Sequence, residues 1–81
     1  MMPVTLVFLG KLADLAGEGE REVAAPLDWN GLLAFCEGPL ADEIASDRVK
    51  LALGSEVLAD KTALAAGEGA EVAVLPPVSG G

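Results

Sequence analysis

The chain has 81 residues, 52% of them hydrophobic, with 13 acidic against 5 basic side chains, one cysteine and no histidine. That length bounds it to one domain near the lower limit of what holds a core unaided, and the apolar content excludes a disordered chain. A net charge of −8 repels phosphate backbones and argues against nucleic acid; it either attracts and steers a partner with a basic docking surface or merely keeps a small, apolar-rich protein soluble.

Taken in order, residues 4–9 (VTLVFL) read as a strand, with Val4, Leu6 and Phe8 on one face and Thr5, Val7 and Leu9 on the other. A strand apolar on both faces is central or covered by a partner. Gly10 ends it. Residues 11–16 (KLADLA) make a short helical turn stopped by Gly17, and residues 20–25 (EREVAA) a second strand ended by Pro26. Asp28 is a good N-cap for the main helix, in which Trp29, Leu32, Leu33 and Cys36 form one apolar stripe. Leu27 and Leu32 occupy hydrophobic-staple positions, and Gly38-Pro39 stops the helix.

Pro39 can start a second short helix over 40–45, with Leu40 and Ile44 facing inward. Residues 48–53 (RVKLAL) alternate as a strand, pointing Val49, Leu51 and Leu53 to the core. Gly54-Ser55 is a two-residue hairpin turn, 56–58 a short return strand, 60–69 a connection and 71–75 (EVAVL) the final strand. The order predicts a two-layer α+β domain over residues 1–75, one face of a four- to five-stranded sheet packed on one main helix. Something must then cover Val7, Leu9 and Leu75 on the other face. Residues 76–81 (PPVSGG) are expected to form a flexible tail.

Pro76 and Pro77 stop the last strand from continuing and aim the tail outward. Gly80 and Gly81 have no Cβ, so they suit a narrow channel and present a bare carboxylate to an active site in another protein. A carboxylate is a poor electrophile until ATP adenylates it; a sulfur donor then displaces AMP and leaves a thiocarboxylate. The chain has no Gly-Lys phosphate loop, histidine or metal cluster with which to perform the ATP step itself. The alternative is a frayed terminus whose glycines are accidental.

The ending VAVLPPVSGG, the opening TLVFLGKLADLAG and the segment RVKLALGSEVL resemble the small, sulfur-carrier subunit of molybdopterin synthase. The resemblance covers nearly the full chain and is most specific in the last ten residues. It implies a ubiquitin-like β-grasp fold, no bound cofactor, and ATP used by a separate adenylating (E1-like) activating enzyme. Gly81, with Gly80 before it, is then the adenylate and thiocarboxylate site. A cysteine desulfurase or rhodanese supplies the sulfur, and the tail enters the large subunit of the synthase, a heterotetramer, where sulfur passes to a pterin precursor. The chain is thus no enzyme on its own. Val7, Leu9, Val57 and Leu75, with Pro76, Pro77 and Val78 of the tail, are the expected partner-binding residues. Leu75 stands where that family often has an aromatic, and Gly54 where it often has Asn. Related carriers serve tRNA thiolation, thiamine or cysteine synthesis or conjugation to lysines; a β-grasp binding module without covalent chemistry is a third reading.

The remaining features read as structure. Cys36 lies on the helical stripe without a histidine to activate it, so it is expected in the core rather than as a nucleophile. The acidic pairs Asp42-Glu43 and Glu20-Glu22 read as solvated faces rather than a metal site. No apolar run reaches the roughly 20 residues of a membrane span, and Met1-Met2-Pro3 lacks the basic start of a signal peptide, so a cytoplasmic protein without membrane contact is expected.

Overall fold

A computed structural model describes residues 2–77. Strand β1 (Val4–Phe8) follows the alternation of its sequence: Val4, Leu6 and Phe8 are buried, while Thr5 and Val7 are only partly covered. Gly10 turns the chain into helix α1 (Lys11–Ala16), which ends on Gly17 in the left-handed conformation, as a helix C-terminus favours. Strand β2 (Glu20–Val23) returns antiparallel to β1 with Val4 opposite Val23. It is two residues shorter than the sequence suggests because the chain turns through Ala24 and Ala25 ahead of Pro26.

A two-residue strand β3 (Leu27–Asp28) precedes helix α2 (Trp29–Cys36). The Asp28 carboxylate caps that helix, accepting from the Gly31 N–H at 2.8 Å. Both staple residues, Leu27 and Leu32, are buried. Glu37, with φ of 47°, breaks the helical path, and helix α3 (Gly38–Ala45) starts at once with Pro39 in its first turn. Leu40 and Ile44 face inward as the pattern predicts.

Strand β4 (Lys50–Leu53) and the short β5 (Glu56–Val57) are joined by the expected Gly54-Ser55 turn, with Gly54 at φ 65°. The connection after β5 is less plain than a loop. It holds a 3₁₀ turn (Lys61–Ala63) and strand β6 (Ala65–Ala66), which pairs antiparallel with β3. Strand β7 (Glu71–Leu75) matches the expected boundaries.

The main sheet has the order β2-β1-β7-β4-β5. Central β7 runs parallel to β1 and antiparallel to β4. This mixed sheet carries all its helices on one side, the arrangement of a β-grasp domain. The core lies between: Leu6, Leu51, Val72 and Val74 from the sheet meet Leu12, Leu32 and Ile44 from α1, α2 and α3, all fully buried.

The helical layer is therefore shared rather than supplied by one helix. Of the α2 stripe only Leu32 is fully buried, and Trp29, Leu33 and Cys36 pack as its half-covered margin. Pairing with α3 moves the burden of burial to Leu40 and Ile44. Behind them the Lys61 ammonium donates to the backbone carbonyls of Ile44 and Val49, each at 2.8 Å, and to that of Ser46. This one cation satisfies carbonyls at the end of α3 and the approach to β4, with the Trp29 ring 5.8 Å away. Burial pulls the Lys61 ammonium below the usual lysine range, with Asp47 partly opposing.

Candidate functional site

Strand register decides what the other side of the sheet presents. On β1 the residues facing away from the helices are Thr5 and Val7; on β7 they are Glu71, Ala73 and Leu75. Lys50 and Ala52 on β4, Val57 on β5, and Glu20 and Glu22 on β2 share that side. One cross-strand row runs Glu20, Val7, Ala73, Ala52, Val57. The next begins at Leu9, whose N–H donates to the Val74 carbonyl at 3.3 Å and so sets Leu9 beside Leu75, which in turn faces Lys50.

The sequence-predicted residues Val7, Leu9, Val57 and Leu75 thus lie on one surface of four adjoining elements. Among the described residues no helix covers them. Val57 is 56% exposed and Leu9 42%, while Val7 and Leu75 are half-buried. Sequence reasoning missed Ala52 and Ala73, which join the two valines into a continuous apolar floor. Alanine carries little strand signal, so the alternation of 50–53 and 71–75 was the only clue.

The exit of β7 is set by a close contact. Gly10, at φ 57°, lies so near Pro76 that a Cβ there would stand 3.2 Å from the proline Cγ. Glycine suits the site on both counts: side chains rarely adopt that backbone angle, and a Cβ would press on Pro76 where the chain leaves β7 over the start of α1. Pro76 and Pro77 are half-buried and follow the open face at its Leu9–Leu75 end. Val78, Gly80 and Gly81, the remaining predicted site residues, lie outside the described residues.

The charges on this face are sorted. Glu22 and Glu71 are exposed at the end remote from Leu75, Glu20 is exposed at the β2 edge beside Val7, and Lys50 is the cation beside Leu75. The other cations are engaged elsewhere. Arg21 pairs with Glu18 at 2.9 Å and lies 4.9 Å from the Phe35 ring centre, while Lys11 and Arg48 sit 3.2 and 3.5 Å from the Glu43 carboxylate. Burial pushes the Cys36 thiol up to about 11, so at neutral pH it is a protonated, weakly nucleophilic group on the helical side, away from this face. Among the described residues no group of three or more Cys, Asp or Glu side chains is placed to hold a metal ion, and no helix is long and apolar enough to cross a membrane.

Comparison with known proteins agrees with the fold. The model of the ThiS family matches residues 6–81, nearly the whole chain. Three solved structures superpose closely. The HVO 2177 protein of Haloferax volcanii is 24% identical with a TM-score of 0.76, over 99% of this chain and 87% of that one. SAMP1, small archaeal modifier protein 1 of the same organism, is 25% identical with a TM-score of 0.66, over 96% and 98%. A Pyrococcus furiosus protein described as molybdopterin converting factor, subunit 1, is 18% identical with a TM-score of 0.69, over 96% and 100%. At such identities the first and third show a common fold. No curated protein matches the sequence.

Proposed function

The chain belongs to the ThiS family, and from that premise we propose that it is the sulfur carrier of molybdopterin synthesis, acting through the carboxylate of Gly81. The observation that carries the reading is the conjunction of Gly80-Gly81 with the open sheet face. PPVSGG follows directly on β7 in the sequence, Pro76 and Pro77 lie at the edge of the apolar sheet face, and the family match runs through residue 81.

The division of labour follows from the residues. This chain offers a carboxylate and a surface; it holds no group that could activate ATP. An adenylating enzyme must dock on the body and receive the tail. There a carboxylate oxygen of Gly81 attacks the α-phosphorus of ATP and pyrophosphate leaves. Sulfide, or a persulfide on the sulfur donor, then attacks the carbonyl carbon and AMP departs; sulfide leaves the thiocarboxylate directly, and the acyl disulfide formed by a persulfide yields it when a second thiol takes the donor sulfur into a disulfide. In the large subunit of the synthase that sulfur becomes the nucleophile delivered to the pterin precursor. The same face must serve both partners in turn, because a single tail leaves from its edge. Six extended residues reach about 20 Å, enough to enter a buried active site while the body stays outside.

Superposition on SAMP1 favours a second reading, in which the activated Gly81 is passed to a lysine of another protein. Both fates share the adenylate and diverge at the acceptor. Reconstitution separates them: the thiocarboxylated chain, mixed with large synthase subunit and pterin precursor, should yield molybdopterin. Isopeptide-linked conjugates in the source organism, with no molybdopterin formed in the mixture, would replace the first reading with the second.

A further inference from the structure

The open face is apolar at one end and acidic at the other. Glu22 and Glu71 flank Thr5 on the strands either side of β1, about 10 Å apart across two strand spacings, and Glu20 stands beside Val7. All three carboxylates are exposed, and among the described residues none has an ion-pair partner. At the opposite end, about 13 Å along β7, Leu75 and Lys50 adjoin the exit of the tail. A docking face with uniform chemistry would let a flat partner sit on it in more than one rotation. This one does not, because turning the partner by half a circle would bring its basic residues onto Lys50 and leave three carboxylates against apolar surface.

Resting on the carrier reading above, we propose that Glu20, Glu22 and Glu71 form an orienting corner that selects a partner surface with an apolar centre and basic side chains on one flank, and that this partner is the adenylating enzyme. Adenylation is the step that every destination of the tail shares, so the surface must suit that enzyme whatever the acceptor. The corner steers encounter through long-range attraction and fixes rotation once the apolar floor is in contact. With the carboxylates registered, the tail leaves the interface in one direction only.

The test is the ATP–pyrophosphate exchange that the adenylating enzyme of the source organism catalyses with the full chain. The variant Glu20→Gln/Glu22→Gln/Glu71→Gln is compared with Asp14→Asn/Glu37→Gln/Asp42→Asn, which removes equal charge from exposed positions on the helical side. The corner variant should raise the KM for the carrier about tenfold at low salt, leave kcat unchanged, and lose its difference from wild type at high salt. The helical-side variant should stay within about twofold of wild type. Equal effects from both variants would mean that net charge alone acts, and a corner variant like wild type would mean that the carboxylates do not orient; either overturns the proposal. Leu75→Glu, run alongside, separates the two levels. If Leu75→Glu weakens exchange while the corner variant does not, only the orienting role fails. If Leu75→Glu behaves as wild type, or the wild-type chain supports no exchange, the docking and carrier reading fails and the corner with it.

Discussion

The same substitution placed on the two faces of the sheet should have opposite consequences. Leu51 and Leu75 are both leucines at the paired margin of β4 and β7. Leu51 is fully buried against the helices, whereas Leu75 lies half-covered on the open side. Removing a fully buried leucine costs about 2–5 kcal/mol, and an unpaired carboxylate in its place costs several more. A domain of 81 residues has a total stability of about 4–12 kcal/mol. Leu51→Glu should therefore be largely unfolded at neutral pH. Because a buried carboxyl prefers its neutral form, its folded-state pKa is raised, so the variant should regain structure as pH falls.

At Leu75 the new carboxylate stays in water and faces Lys50 across the strand pair, a contact of about 0.2–1 kcal/mol that offsets part of the lost apolar contact. Leu75→Glu should lie within about 1 kcal/mol of wild type and yet bind the adenylating enzyme at least about tenfold more weakly, since a desolvated anchor contributes about 2 kcal/mol or more. Urea unfolding followed by Trp29 fluorescence and by circular dichroism measures the first difference, and titration the second. A Leu51→Glu variant with the wild-type midpoint, or a Leu75→Glu variant that unfolds, would refute the assignment of the two faces.

Lys61→Met leaves the carbonyls of Ile44, Ser46 and Val49 without their shared donor and should cost about 1.5–3 kcal/mol in the same urea experiment. Lys50→Met, at an exposed cation, should change stability by less than about 0.5 kcal/mol, and equal effects would show that the ammonium does not brace the α3–β4 junction. Alkylation of native Cys36 should be slow near neutral pH and accelerate with a midpoint of about 11; a thiol that reacts at neutral pH like an unfolded cysteine would contradict its protected state. Deleting Gly81 shortens the tail by about 3.5 Å, and misplacement by about 1 Å can cost a hundredfold in rate. That variant, and Gly81→Ala, should melt as wild type and fail to support molybdopterin formation, while wild-type output from either would remove the tail from the chemistry.

Local signals carried far in this chain. The Asp28 cap, the left-handed Gly17, the Gly54-Ser55 turn and the full extent of β7 each rest on a few neighbouring residues whose chemistry permits one conformation. The alternation of β1 also told which of its residues are buried, Val4, Leu6 and Phe8, and which face the other side of the sheet. Long-range pairings were beyond such reasoning. The β3–β6 ladder has two residues on each strand, too few to show a period, and it is what buries Leu27 and Ala66. The Lys61 brace joins residues that are 12 to 17 positions apart and looks in the sequence like any surface lysine. The parallel pairing of β1 with β7 unites the two ends of the domain, and only that pairing places Leu9 beside Leu75. The acidic corner likewise exists only once β2, β1 and β7 are side by side.

In the proposed chemistry the Gly81 carboxylate is the reactive group. Intact-mass spectrometry of the chain, incubated with ATP, its adenylating enzyme and a sulfur donor, tests it directly. The wild-type protein should gain the mass difference of one oxygen exchanged for one sulfur, localised by fragmentation to Gly81, and the form lacking Gly81 should gain little or none. An unchanged wild-type mass, or sulfur found on Cys36 instead, would contradict it.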